Sequence, residues 1–174
     1  AYWRDKAKTG EVVYGRLIST SSEAAIYGSA GQPNYASAKA GIIAMAMGAA
    51  QLLTKYGITS NVIMPRALTD MTSSGQTAEM FQPPADGGFH VFDAANVAPL
   101  VGYLSSPEAA KISGEVLVVW GNEVQILQRP TLSDVFINPQ GAKKWELDDL
   151  HASLASHYDE NYHPVWGGYS VSPV

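Results

Sequence analysis

The 174-residue sequence contains no cysteine, so disulfides, Cys-based zinc sites and thiol nucleophiles are excluded at once. That absence fits a cytoplasmic protein. Charge is scarce as well: only 16% of residues are Asp, Glu, Lys or Arg, and the net charge is −5. An acidic balance argues against nucleic acid or an anionic membrane as partner, because both select a basic face. No uninterrupted apolar run is read as long enough to span a membrane, and no charged-then-apolar leader opens the chain. There is no internal repeat and no initiator methionine. The opening "AYWRDKAKTG" reads instead as the last turns of an amphipathic helix closed by Gly10, an element entered part-way.

What is present describes a globular chain. Apolar residues make up 46% of it, and its length suits one domain. "GRLISTSS" (15–22) is a short apolar run with β-branched residues between turn signals, and predicts a buried strand. "EAAIYGSAGQP" is a loop punctuated by Gly28, Gly31 and Pro33. From Asn34 as N-cap, "YASAKAGIIAMAMGAAQLLTKYG" predicts a long helix stopped by Gly57. "TSNVIMP" (59–65) is a second buried strand ended by Pro65. The polar, Gly/Pro-rich segment 66–88 is too long for an ordinary connection and has the character of a functional loop. Asp93 then caps a helix over "AANVAPLVGYLSS", and "GEVLVVWG" (114–121) is a third strand. Strands alternating with helices predict an α/β fold with a parallel sheet. Residues 1–130 form that part, and 131–174 a helical and aromatic tail extension. In the tail, Leu147, Leu150, Leu154 and Tyr158 share a helical stripe, and "NYHPVWGGYSVSPV" is expected to wrap over the domain or a neighbouring subunit.

The chemistry concentrates in "STSSEAAIYGSAGQPNYASAKAGIIAMAM" (19–47). Side chains four apart on a helix are neighbours, so Tyr35 and Lys39 face the same way. A phenol is a poor acid or base at neutral pH, but an ammonium beside it favours phenolate by charge attraction. The positive end of a helix pushes in the same direction. Ser22, at the end of a strand, lies on the edge where open α/β sheets place their ligands, within reach of the oxygen that Tyr35 would protonate. A Tyr-x-x-x-Lys spacing by itself is common and reads as surface chemistry; the whole phrase carries more. The remaining polar residues take plainer readings. His151 and His157 are six apart, out of phase for a shared metal, and His90, at the end of the long loop, reads as a packing residue first and a substrate contact second. "YGSAGQ" misses the G-x-S-x-G nucleophile elbow. The Ala/Gly/Met composition of the long helix lets another helix approach closely, in the core or at a subunit interface.

Through "GRLISTSS", the Ser22–Tyr35 spacing of thirteen, "NYASAKAGI" and "NVIMPRALTDM", residues 1–121 resemble the short-chain dehydrogenase/reductase family. The resemblance implies the C-terminal part of a doubly wound, Rossmann-like sheet and reversible hydride transfer between NAD or NADP and a secondary alcohol or ketone. It assigns Tyr35 as general acid/base, Lys39 to the nicotinamide ribose, and Ser22 to the substrate oxygen. Pro65, Leu68 and Thr69 fall where the family seats the nicotinamide. Here Arg66 replaces the Gly that usually follows the proline, and Thr69 comes one residue early. The "PRALTDM" form and the long tail resemble the bacterial branch that handles acyl-thioester or steroid-derived substrates.

The family's glycine-rich pyrophosphate turn is missing. "GSAGQP" and "GQTAEM" lack the glycine spacing and the strand-before, helix-after setting that place phosphate on a helix N-terminus. The residue that selects between NAD and NADP is missing too. The chain is therefore expected to be a C-terminal portion of a longer dehydrogenase, with the strand "RLIST" left as an open edge that invites pairing. A homo-oligomer, dimer or tetramer, is expected. The competing expectation is a catalytically silent fragment or scaffold that does not bind cofactor alone.

Overall fold

The computed structural model describes residues 1–74, 78–132 and 134–160. They fall into two compact units, 1–127 and the residues from 128 onward, each described by itself.

The first unit is built on a four-stranded sheet in the order β1-β2-β3-β4. β1 (Gly15–Thr20) and β2 (Ile58–Pro65) are parallel, with Gly15 opposite Ile58 and Thr20 opposite Ile63. β3 (Val116–Trp120) is parallel to β2, with Val62 opposite Val116. β4 (Glu123–Ile126) returns antiparallel on β3, with Trp120 opposite Glu123. The sequence reading held three strands, so β4 is a correction. Its Val124 and Ile126 are exposed, and it has no buried face to reveal it. The fold is α/β with a predominantly parallel sheet.

Helices follow the strands. α1 (Tyr2–Lys8) precedes β1, and Gly10 takes a positive φ of 84° just beyond it. α2 (Ala24–Tyr27) is a single turn inside what the sequence presented as a loop. α3 (Pro33–Leu53) has Gln32 as its N-cap rather than Asn34. Proline at the first helical position explains the shift, since its fixed φ suits a helix start and its missing N–H is no loss there. A 3-10 turn (Thr54–Tyr56) extends α3 to Gly57, whose φ of 78° ends it left-handed. Asp93 caps as expected, accepting from the Ala95 N–H at 2.8 Å, but opens a 3-10 turn (Ala94–Val97) that leads into α4 (Ala98–Ser105).

Strand side chains alternate between two cores, as a period of two requires. Val62, Met64, Val116, Val118 and Trp120 pack with Ala46, Ile43 and Met47 of α3. Ile63 and Leu117 point the other way and meet Leu104, Leu100 and Val101 of α4. β2 is central and buried along nearly its whole length, as a parallel strand covered on both faces should be. β1 has β2 as its one strand neighbour among the described residues.

The expectation about membrane-length segments needs correction. Pro33–Tyr56 is 24 residues long and contains an 18-residue window with a mean hydropathy of 1.3, long and apolar enough to cross a membrane by length and composition alone. Lysines at 39 and 55 interrupt the run. A long helix that lies on a sheet satisfies the same criterion, and α3 lies on β2 and β1.

In the second unit α5 (Leu147–Glu160) forms where the leucine stripe predicts it. Leu147 and Tyr158, the ends of the stripe, are exposed, while Leu150 and Leu154 are half-buried. His157 meets the rings of Phe136 and Tyr158 edge-on, at 5.3 and 5.2 Å between centroids. The aromatic tail "NYHPVWGGYSVSPV" lies outside the described residues.

Candidate active site

The C-terminal ends of β1, β2 and β3 share one edge of the sheet, because parallel neighbours finish side by side. On leaving β1 the chain passes Ser21 and Ser22 before α2. The Ser21 N–H donates to the Ile63 carbonyl at 2.8 Å, and its buried hydroxyl donates to the Lys39 carbonyl at 2.8 Å. The Ser22 Oγ accepts from the Ala24 N–H at 3.2 Å. That bond uses an oxygen lone pair, so the hydroxyl proton is left for donation elsewhere.

Tyr35 and Lys39 lie in the opening turns of α3, one turn apart. The Lys39 Nζ donates to the Thr20 carbonyl at 3.1 Å and stands 5.6 Å from the centroid of the Tyr35 ring. An ammonium has three donors, so this anchor leaves two. Two contacts thus pin the Lys39 segment to the end of β1: the ammonium on Thr20, and the Lys39 carbonyl under the Ser21 hydroxyl. Tyr35 is 37% exposed, its ring open to the edge. The structure brings Ser22, Tyr35 and Lys39 to one edge.

Pro65 ends β2 opposite Val119. Leu68 and Thr69 follow in the next turn, Leu68 half-buried and Thr69 exposed. Their backbone donors are engaged locally: Leu68 N–H on the Phe92 carbonyl at 2.7 Å, and Thr69 N–H on Thr72 Oγ1 at 2.8 Å. Among the described residues no hydrogen bond joins them to Tyr35 or Lys39. His90 donates from Nε2 to the Phe81 carbonyl at 3.0 Å, pinning the long loop to itself. Residues 75–77, which begin "GQTAEM", lie outside the described residues.

Sequence reasoning missed a pair beside this edge. Glu23, the residue after Ser22, accepts two hydrogen bonds from Arg66: Nε to Oε2 at 2.7 Å and Nη2 to Oε1 at 2.6 Å. Both side chains are nearly buried, at 9% and 13% exposure. The guanidinium lies 4.1 Å over the ring of Trp120, itself buried at the end of β3. The Glu23 hydrogen bonds, outweighing burial, push Arg66 above its ordinary value. For a cation so raised, the stabilisation is complete below the unfolded value and is lost only as pH rises through the folded one, so Arg66 stays charged throughout the neutral range. The signal in the sequence was Arg66 itself, standing where the resemblance calls for Gly.

An open cavity of about 280 Å³, lined by Ala1, Tyr2, Trp3, Arg4, Leu53 and Ile58, lies at the other end of the sheet. It borders the start of β2 and the end of α3, at the opposite end of that helix from Tyr35.

Residues 4–121 match the family model described as enoyl-(acyl carrier protein) reductase. The chain is 41% identical over 163 residues to hydroxyacyl-CoA dehydrogenase ChsB1 of Mycobacterium tuberculosis, covering 91% of this chain and 49% of that protein. It is 42% identical over 115 residues to the 3-oxoacyl-[acyl-carrier-protein] reductase FabG of Escherichia coli, covering 62% of this chain and 45% of FabG. A crystal structure of a short chain dehydrogenase from Mycobacterium avium superimposes with a TM-score of 0.76 at 31% identity, covering 94% of this chain and 51% of that one. The chain spans about half the length of the curated relatives it matches.

Proposed function

The chain belongs to the short-chain dehydrogenase/reductase family, and on that premise we propose that it forms the catalytic half of an NAD- or NADP-dependent oxidoreductase. The reaction interconverts a secondary alcohol and a ketone on an acyl-thioester or steroid-derived substrate. The names of ChsB1 and FabG support the acyl class. One observation carries the proposal: the Lys39 ammonium, anchored on the Thr20 carbonyl, stands over the Tyr35 ring at the edge where Ser22 presents its hydroxyl.

Each residue then has a task. Ser22 donates a hydrogen bond to the substrate oxygen and fixes its position. In the reductive direction Tyr35 gives its phenolic proton to that oxygen, and in the oxidative direction it takes the proton back. Lys39 would hold the ribose hydroxyls with its two remaining donors, and its positive charge stands 5.6 Å from the centroid of the Tyr35 ring. Pro65, Leu68 and Thr69 would border the nicotinamide. Of these, Thr69 would take part through its hydroxyl oxygen, which shares a 3.3 Å hydrogen bond with the Thr72 hydroxyl, since the Leu68 and Thr69 backbone donors are engaged with Phe92 and Thr72. When bound, the cofactor supplies or accepts the hydride.

The chain alone favours a second reading. Among the described residues β1 is an edge strand, and the matched relatives are about twice as long, so we also propose that the isolated 174 residues are catalytically silent and bind nicotinamide cofactor weakly. The protein is proposed to be cytoplasmic and homo-oligomeric, with α3 and its Ala/Gly/Met surface as a subunit contact. Residues 131–174 are proposed as a tail extension of the catalytic part. Titration of NADH and NADPH into this chain and into the full reading frame, followed by fluorescence, tests the division. Micromolar binding by the long form alone is expected; binding of that strength by the short chain would overturn it.

A further inference from the structure

We propose that Glu23 and Arg66 are a positioning pair for the active site, holding the Ser22 hydroxyl and the 67–72 turn in register with each other. The inference rests on the oxidoreductase reading for its consequence in catalysis, and on geometry for its substance. Glu23 is fixed to Ser22 by a peptide bond and opens α2. Arg66 directly follows Pro65, and its N–H donates to the Val119 carbonyl at 3.0 Å. Its guanidinium meets Glu23 with two parallel bonds and covers the Trp120 ring. One side chain therefore joins the C-terminal ends of all three parallel strands, and the residues it joins flank those assigned to substrate oxygen and nicotinamide.

Stability gives a weak reason for such a pair. Taking two charges out of water offsets much of their attraction, and well-packed apolar residues of similar volume serve as well or better. A bidentate fork, however, fixes both distance and plane between the segments it joins, which an apolar contact does not. Proton transfer is not its task, since a guanidinium does not titrate in the working range. Tyr27 and Glu123 also face the guanidinium, and neither lies in the segments the pair aligns.

The test uses Glu23→Gln, Arg66→Met and the double variant, which keeps apolar length over Trp120 and leaves no charge unpaired. In this chain, amide exchange at Ala24, whose N–H is held by Ser22 Oγ, and at Leu68 and Thr69 reports on the two segments. In the double variant exchange there should rise on the order of tenfold or more, with Val62–Met64 unchanged. Unchanged protection at Ala24 and Leu68, with a fall in melting temperature alone, would mean that the pair is merely structural and would overturn the proposal. In the full reading frame, with acetoacetyl-CoA and reduced cofactor, kcat should fall on the order of tenfold while the pH inflections stay in place. Arg66→Lys, which keeps charge but not the fork, should recover only part of the loss. If the unaltered long form shows no nicotinamide-dependent turnover, the oxidoreductase reading fails, and the exchange result still decides the pair.

Discussion

Asn61 is the most informative single residue for the fold, because a buried amide in the central strand ties down the segment that delivers β3. It is 1% exposed. Its Nδ2 donates to the Ile112 carbonyl at 2.8 Å, and its Oδ1 accepts from the Glu115 N–H at 3.1 Å. Replacing it with Leu keeps the bulk and removes both partners at once. Each backbone group that loses its partner without full access to water costs about 1–3 kcal/mol, so the raw sum is about 2–6 kcal/mol. Residues 112–115 are only half-buried, and water can reach part of the gap, which places the expectation in the lower half, about 2–4 kcal/mol. The segment keeps its other ties, Gly114 N–H to the Ser60 carbonyl at 2.8 Å and Val62 N–H to the Glu115 carbonyl at 2.9 Å. The variant should therefore fold, less stably. Urea unfolding followed by circular dichroism measures the loss. An Asn61→Leu protein within about 0.5 kcal/mol of the parent, the range of an ordinary surface change, would refute the reasoning.

Other substitutions probe neighbouring features. Gly57→Ala should destabilise by more than about 1 kcal/mol, since φ is +78° and a Cβ would stand 2.6 Å from the Val13 carbonyl oxygen; a denaturation midpoint equal to the parent's would contradict it. Thr59→Val should be neutral or stabilising by about 1 kcal/mol, because the Thr59 Oγ1 is buried with no hydrogen-bond partner among the described residues; a clear loss in the same assay would mean that the hydroxyl has a role the structure does not display.

The parts of the fold visible in the sequence were those with a strong period or a strong stop. "NVIM" and "VLVVW" stand out as apolar runs because β2 and β3 are covered on both faces, "GRLIST" shows as a strand although β1 is only half-buried where a buried strand was expected, and Gly57 marks its own positive φ. β4 carried no such signal, with its apolar side chains half or more exposed. α2 is four residues long, too short for a helical period to register. Ser22, Tyr35 and Lys39 stood out through spacing within a single loop and helix. The Glu23–Arg66 pair could not, because its members are 43 positions apart and meet only where two parallel strands finish together. The opening of α3 was misplaced by two residues for a local reason, Pro33 and Asn34 being rival start signals side by side.

The central claim is that Tyr35 moves the proton. Its most direct test is the rate of reduced-cofactor oxidation by a 3-oxoacyl thioester in the full reading frame, with Tyr35→Phe compared to the parent at saturating concentrations. Phenylalanine keeps the ring beneath Lys39 and removes only the hydroxyl. The account predicts an intact fold by circular dichroism and a rate lower on the order of 10²–10⁴-fold, the usual loss when a general acid–base is removed. A rate near that of the parent would contradict it.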